Sequence, residues 1–175
     1  RLVAPLNDIL RLSQLDEGGA LPHEQVSVLE LAQEAARSLT AQAAAQAVHI
    51  SVTGTAGTVF GVRRLLYEIA RNLCENAVKY NVPGGSVTVE VAETDRDVTL
   101  LVRDTGIGIP EGDQSRVFER FYRVDKSHSR AIGGTGLGLS IVKHAVAYHH
   151  GTLRLESQPG KGTVITVTLP KEPTE

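Results

Sequence analysis

Three polar side chains recur at helical spacing near the middle of the chain, and their types suit a phosphorylated ligand. Asn72, Asn76 and Lys79 are four and three residues apart, which stacks them on one strip of a helix. Carboxamide oxygens can ligate a hard cation such as magnesium, and a lysine ammonium can contact phosphate oxygens. Taken alone, such a strip is more often a solvated face, although two asparagines in a helix centre are poor helix formers.

A carboxylate closes one of the predicted strands. Apolar residues alternate along 98–102, and a period of two places Asp104 on the same inward face. An inward carboxylate is costly unless it accepts hydrogen bonds, and a ring amino group such as that of adenine is a natural donor. Gly106 and Gly108 follow and would let a ligand approach the backbone closely. An ordinary Asp-Thr-Gly turn is the alternative, but the phase favours a site.

A glycine-rich segment, 133–139, precedes a predicted helix. Backbone N–H groups at such a helix start can face phosphate, although a flexible linker has the same composition. The segment lacks the lysine and hydroxyl residue of a Walker motif and does not follow a strand as a dinucleotide fingerprint does. A second glycine pair, in 160–163, leads into a strand and is predicted to be a hairpin turn that walls the site.

Aromatic side chains are interleaved with arginines along 118–123, between these glycine segments. Such residues could anchor a mobile lid and place a guanidinium over a phosphate. Simple packing of a loop onto the core is the alternative, and the segment alone does not decide between them.

The elements that must position these residues follow from hydrophobic periodicity and turn signals. Consecutive strands are joined by hairpins rather than by regular strand–helix–strand crossovers, which predicts an α+β fold, a two-layer α/β sandwich. The predicted helices are 2–15, 28–47, 63–80, 115–118 and 137–149, and the predicted strands are 48–52, 87–91, 98–102, 152–157 and 164–169, with a hairpin turn at 95–97.

Bulk composition limits the function further. The chain has 175 residues, 41% of them hydrophobic, which fits one globular domain with a short appendage. Its net charge is -2 with no basic cluster, so no nucleic-acid partner is expected. Cys74 is the lone cysteine and is predicted to be a small core residue. No apolar run has membrane-spanning length, and the absence of any methionine predicts a fragment or processed product.

Four segments, taken in order, resemble the ATP-binding catalytic domain of bacterial sensor histidine kinases, in the superfamily of DNA gyrase and MutL. They are similar to that family's N box, first glycine box, F box and second glycine box, and comprise 72–80, 104–109, 118–123 and 134–139. The resemblance covers about 26–170. It implies a Bergerat-type sandwich with a mixed, mainly antiparallel sheet and helices on one face.

The resemblance implies ATP and Mg²⁺ as cofactors and assigns roles to matching residues. Asn76 is expected to ligate magnesium with Asn72 beside it, and Asp104 is expected to accept from the adenine amino group. Asn72, Lys79 and Arg123 form the expected catalytic set, with Lys79 and Arg123 contacting phosphates. The other expected nucleotide contacts are Tyr80, Gly106, Gly108, Ile109, Phe118, Arg120, Gly134, Thr135, Gly136, Leu137, Gly138 and Thr163.

The resemblance also divides the chain. Residues 1–17 are similar to the end of a dimerisation helix, 18–25 form a linker, 26–170 form the catalytic domain and 171–175 form a fraying tail. One position departs from the family, since Val62 stands where an aspartate is common, and only a local effect on the helix start is expected.

The phosphoacceptor histidine of that family is missing. His23 is followed by an acidic residue but lacks the arginine–threonine–proline ending, and the other five histidines have no such setting either, so each is predicted to be a surface or packing residue. The acceptor is therefore expected upstream of Arg1. The chain should bind ATP and magnesium without phosphorylating itself.

The partners implied by the resemblance are the parent's dimerisation and phosphoacceptor domain and the receiver domain of a response regulator. No membrane contact by this chain is expected, and it would be a cytoplasmic part of a membrane receptor.

Two rivals remain. A hydrolytic ATPase, or a serine kinase of the anti-sigma type, would place a glutamate base one turn before the magnesium asparagine, where this chain has Asn72. Glu68 lies a further turn away. A nucleotide-binding interaction module without turnover is the other rival.

Overall fold

The computed structural model describes residues 21–119, 122 and 138–172, so the helix predicted over 2–15 lies outside the described residues. In chain order the described elements are β1 (Glu24–Ser27), α1 (Val28–Ser38), α2 (Thr40–Ala45), β2 (His49–Gly54), β3 (Thr58–Gly61), α3 (Arg63–Lys79), β4 (Ser86–Glu93), β5 (Asp97–Asp104), a 3₁₀ turn (Glu111–Asp113), α4 (Gly138–Tyr148), β6 (Thr152–Gln158) and β7 (Gly162–Pro170).

The main sheet of the described chain has five strands in the order β2-β4-β5-β7-β6. β2 runs parallel to β4, and every other neighbouring pair is antiparallel. A small separate sheet pairs β1 with β3. The mixed, mainly antiparallel sheet that was predicted is therefore confirmed.

The helices cover one face of this sheet. α3 packs between α1 and α4, and each of the three helices contacts strands. Inward residues alternate with outward ones along every central strand. The opposite face carries polar side chains such as Thr88, Glu90 and Arg103, which are exposed or half-buried. Because one face of the sheet is apolar and covered while the other is solvated, the two-layer α/β sandwich is confirmed.

The longest described helix, α3, lies at the centre of the core. Leu66, Ile69 and Leu73 are 3% exposed or less and follow helical spacing towards the sheet. Cys74 is fully buried, and burial raises the pKa of its thiol to about 12, so it is an unreactive core residue as predicted. None of the described helices is long and apolar enough to cross a membrane.

The second predicted helix is wrong as a single element, because it divides at Leu39 into α1 and α2. Hydroxyl groups flank the break and bond to nearby carbonyls: Ser38 Oγ donates to Ala35 O at 2.7 Å and Thr40 Oγ1 donates to Arg37 O at 3.0 Å. Such side-chain bonds compete with the helical ladder, so the alanine-rich composition overstated the length of this helix.

The short helix predicted over 115–118 is also wrong. A 3₁₀ turn begins earlier, after Pro110, and the chain continues in turns. Asp113 N donates to Pro110 O, Arg116 N to Asp113 O and Glu119 N to Arg116 O, each a bond to the third residue back rather than the fourth. Successive bonds to the third residue back form short turns of the 3₁₀ type, which do not continue as an α-helix.

Two short strands at the start of the domain were not predicted. β1 includes Glu24 and Gln25, which the family resemblance assigns to the linker, and pairs with β3. At the other end, the backbone of Lys171 is bonded to the domain, because its N donates to Arg96 O and its carbonyl accepts from Phe60 N. The described fold therefore extends from β1 to Lys171, slightly beyond the range 26–170 that the resemblance covers.

A buried histidine replaces a side-chain cap at the start of α3. Val62, the N-cap, makes no side-chain cap bond, but its backbone N–H donates to His149 Nε2 at 3.1 Å. His149 Nδ1 then donates to Ala145 O at 2.8 Å, which fixes the neutral tautomer. Burial lowers the pKa of this imidazole, so His149 is a packing residue that joins α4 to α3.

Candidate functional site

The polar strip predicted on α3 is present, and its members differ in environment. Asn72 is 7% exposed, and its Nδ2 donates to the Glu68 carbonyl at 2.7 Å and to Glu68 Oε2 at 3.0 Å. Its oxygen is the only part left for another partner. Asn76 is half-buried, and its side chain makes no hydrogen bond within the described part of the chain. Asn76 therefore offers a carboxamide that folding itself does not use.

The lysine of the strip is held near a carboxylate. Lys79 Nζ lies 3.8 Å from Glu75 Oε1, while Glu75 Oε2 accepts from Arg71 NH1 at 3.1 Å. The side chain of Lys79 keeps 21% of its surface exposed. A loose ion pair on a helix surface contributes little to stability, so an anion could draw Lys79 away at small cost.

Asp104 points inward at the end of β5, as the alternation predicted. Its Oδ1 accepts from Gly106 N at 2.9 Å and from Thr163 N at 3.2 Å. Desolvation by burial raises the pKa of the carboxyl from its ordinary 3.8 to about 6, against the opposing effect of those two N–H donors. Among the described residues no group donates to Oδ2. One oxygen thus builds the loop and the other remains for a ligand.

The loop after Asp104 is joined to the end of α3. Ile107 N donates to Tyr80 O at 3.1 Å, and a methyl group on Gly106 would lie 2.3 Å from the same carbonyl oxygen. Tyr80 N in turn bonds to Asn76 O at 3.1 Å. Asp104 and Asn76 are therefore brought to the same end of α3, which is the juxtaposition that the two sequence patterns require.

The β6–β7 hairpin forms the other wall of this loop. Gly160 N donates to Ile107 O at 2.8 Å, and a methyl group on Gly108 would lie 2.1 Å from the Gln158 carbonyl oxygen. The segment 160–163 contains the turn between β6 and β7, so the predicted hairpin is confirmed. Only glycine at 106 and 108 allows both walls to approach this closely.

Two residues of the site were missed from the sequence. Ser157 Oγ lies 2.8 Å from Thr163 Oγ1 and accepts from Ile109 N at 2.8 Å. Gln114 Nε2 donates to Ile109 O at 2.9 Å and to Ser157 O at 3.1 Å. The alternation of β6 was the available signal, because Ser157 follows Leu153 and Leu155 in phase on the inward face.

Of the remaining predicted site residues, the structure describes Gly138 and Phe118. A methyl group on Gly138, the first residue of α4, would lie 3.2 Å from Asn72 Oδ1, so the end of the second glycine segment adjoins α3. Phe118 is half-buried and packs against the core. The positions Arg120, Arg123, Gly134, Thr135, Gly136 and Leu137 lie outside the described residues.

The geometry fits a purine nucleotide with a metal ion. An inward carboxylate oxygen can accept from the amino group of a flat base, and Gly106 and Gly108 let the loop that carries it pack closely on α3 and the β6–β7 hairpin. A carboxamide at Asn76 and an ammonium at Lys79, both in the last turn of α3, suit magnesium and phosphate oxygens. In the described ranges no three acidic, histidine or cysteine side chains group into a metal site.

The chain matches a known protein family and curated members of that family. Residues 61–173 match the family model described as histidine kinase-, DNA gyrase B-, and HSP90-like ATPase. A curated relative, the sensor-like histidine kinase SenX3 of Mycolicibacterium smegmatis, is 42% identical over 177 residues, covering 99% of this chain. The chain spans 46% of the length of that relative.

Solved structures of sensor kinases superpose on this chain. The mycobacterial sensor histidine kinase MprB superposes with a TM-score of 0.75 at 33% identity, covering 87% of this chain and 100% of that one. Full-length ShkA, solved in complex with AMPPNP, gives a TM-score of 0.83 at 26% identity and covers 97% of this chain and 35% of that one.

Proposed function

Because this chain belongs to the histidine kinase-, DNA gyrase B- and HSP90-like ATPase family, we propose that it is the ATP- and magnesium-binding catalytic domain of a two-component sensor kinase. The observation that carries the proposal is the inward Asp104 carboxylate, fixed through Oδ1 and open at Oδ2, at the same helix end as Asn76. The ShkA neighbour was solved with an ATP analogue, which supports the choice of nucleotide.

In this proposal different residues contact the base, the magnesium ion and the phosphates. Asp104 accepts from the adenine amino group, and Tyr80 with the glycine loop encloses the base. Asn76, with Asn72 Oδ1 beside it, supplies oxygens to magnesium, and Lys79 leaves Glu75 to contact phosphate. Bound magnesium supplies charge neutralisation, the main requirement of phosphoryl transfer. Arg123, the glycine segment 134–138 and residues Phe118 and Arg120 complete the phosphate side by family resemblance.

The γ-phosphate would pass to a histidine of the parent's dimerisation domain and then to a response regulator. The resemblance to sensor kinases supports this relay, and it also supports a place for this domain on the cytoplasmic side of a membrane receptor. Because this chain lacks the acceptor motif, we expect it to bind ATP without phosphorylating itself.

Hydrolysis of ATP by water is less well supported. A hydrolytic enzyme of this family needs a carboxylate one turn before Asn76, and Asn72 cannot take a proton from water. Glu68, one turn further away, has its Oε2 bonded to Asn72 Nδ2 at 3.0 Å. That bond ties the Glu68 carboxylate to the neighbouring turn of α3.

The test is calorimetric titration with AMPPNP, with and without magnesium. The wild-type domain should bind, and magnesium should tighten binding. Asn76→Ala should lose most of that benefit, roughly tenfold in Kd, because one contact to a charged group is removed. Gln33→Ala, which removes an exposed carboxamide from α1, is the matched control and should leave both values unchanged.

Two outcomes would contradict the proposal. If the wild-type domain binds no adenine nucleotide, the function is wrong. If Asn76→Ala retains the full magnesium benefit, the nucleotide site stands but the metal ligand is assigned to the wrong residue.

A further inference from the structure

One hydroxyl beside the proposed base pocket makes three contacts at once. Ser157 Oγ lies 2.8 Å from Ile109 N, 3.1 Å from the Gly162 carbonyl oxygen and 2.8 Å from Thr163 Oγ1. Ser157 is on β6 and Thr163 is its cross-strand partner on β7, so the two hydroxyls are held together by the register of the sheet.

Counting protons gives the one arrangement that satisfies all three contacts together. A hydroxyl has one proton to donate and two lone pairs to accept with. Ile109 N–H can only donate to Ser157, and the Gly162 carbonyl can only accept from it, so the single Ser157 proton is committed to Gly162. The contact with Thr163 is then satisfied only if Thr163 donates its own proton to Ser157. Thr163 Oγ1 is left with lone pairs alone for any other partner.

The next acceptor lies directly across the sheet. Asp104 and Thr163 are paired in register, and Thr163 N donates to Asp104 Oδ1 at 3.2 Å. Thr163 keeps 8% of its surface exposed. An ionised carboxylate is acceptor-only. This wall of the pocket therefore presents two acceptors and no hydroxyl donor.

We propose that Ser157 is a positioning residue for base selection: by holding the Thr163 proton, it makes the wall acceptor-only, which favours a 6-amino purine and rejects a 6-oxo purine. The inference rests on the proposed function, because it concerns the same base pocket. A 6-oxo purine carries an acceptor where adenine carries a donor, so it would meet Asp104 and Thr163 with unpaired lone pairs.

The test compares ATP with ITP. The base of ITP carries an oxo group at position 6 in place of the amino group, and a proton on the adjacent ring nitrogen. The wild-type domain should bind ATP more tightly. In Ser157→Ala the Thr163 proton is released and can turn towards the 6-oxo group. The ratio of the ITP and ATP dissociation constants should then fall roughly fivefold, the effect of about one neutral hydrogen bond.

A matched control separates base selection from loop anchoring. Gln114 clamps the same loop through Ile109 O and Ser157 O without contacting the Thr163 hydroxyl. Gln114→Ala should weaken ATP and ITP together and leave their ratio unchanged. Ser157→Thr keeps a hydroxyl and should restore the wild-type ratio.

A second variant keeps the proposal open to failure if Ser157→Ala does not fold. Thr163→Val removes the acceptor itself, so it should lower the preference for ATP, and adding Ser157→Ala should lower it no further. An unchanged ratio in a folded Ser157→Ala, or in Thr163→Val, would overturn the inference while ATP binding stands. Loss of wild-type binding to both nucleotides would instead overturn the proposed function, and the inference with it.

Discussion

Asp104→Asn is expected to weaken binding of AMPPNP by about a hundredfold while making the folded domain more stable at neutral pH. The asparagine oxygen can take the place of Oδ1 and keep the bonds from Gly106 N and Thr163 N. Its amide nitrogen then occupies the place of Oδ2 and presents a donor to the adenine amino group. Two donors would face each other where a charged acceptor is required.

The gain in stability follows from the pKa of Asp104. Burial raises the pKa of the folded carboxyl to about 6 from 3.8, so the folded state binds the proton more tightly than the unfolded chain does. The resulting stabilisation is complete below 3.8 and is lost as the pH rises through 6. At pH 7.5 the wild type therefore holds a partly buried charge at a cost of up to about 3 kcal/mol, which asparagine removes.

Urea unfolding at pH 7.5 and at pH 4.5 measures this directly. The variant should exceed the wild type in free energy of unfolding at pH 7.5, and the difference should shrink at pH 4.5, where the folded carboxyl is already protonated. A variant that is less stable at pH 7.5 would mean that Oδ2 is needed by the fold and is not reserved for a ligand.

The same titration makes nucleotide binding depend on pH. As the pH falls through 6, a proton on Asp104 turns one acceptor into a donor, so wild-type affinity for AMPPNP should fall. Asp104→Asn, which cannot titrate, serves as the control for ionisation of the nucleotide itself. Parallel pH profiles for the two proteins would contradict the raised pKa.

Sequence alternation located the inward acid but did not identify its neighbours. A period of two along β5 was enough to place Asp104, because the pleat alone decides which face a residue occupies. The same period along β6 places Ser157 inward, yet its significance depends on Thr163 and Ile109, which are distant in sequence or on another strand. Pairing across strands is set by tertiary register, which periodicity does not contain.

The errors in the predicted elements have local causes of another kind. Alanine content favoured one helix through Leu39, whereas two hydroxyl side chains bond the carbonyls around the break. The strands β1 and β3 have four residues each, too short for a period to be distinguished from chance. By contrast, the strip on α3 extends through a long helix with a continuous apolar face, and it was predicted correctly.

Gly162→Ala is expected to be the most damaging single-methyl change in the β6–β7 hairpin. Gly162 has a φ of +116°, and a methyl group there would lie 2.1 Å from the Asp104 carbonyl oxygen. The backbone conformation alone costs a side chain about 1–3 kcal/mol, and the overlap with backbone atoms adds to it. We expect a loss of at least about 3 kcal/mol in free energy of unfolding.

Gly160→Ala is the matched control, because it lies in the same hairpin. Gly160 also has a positive φ, +79°, but a methyl group there meets nothing within 4 Å. Gly160→Ala should therefore lower the free energy of unfolding only by the cost of the left-handed backbone conformation, about 1–2 kcal/mol. Thermal unfolding of both variants separates the two contributions, and equal losses would contradict the close approach of Gly162 to β5. Because Gly162 lies between Asp104 and Thr163, its variant alone should also weaken AMPPNP binding at temperatures where it remains folded.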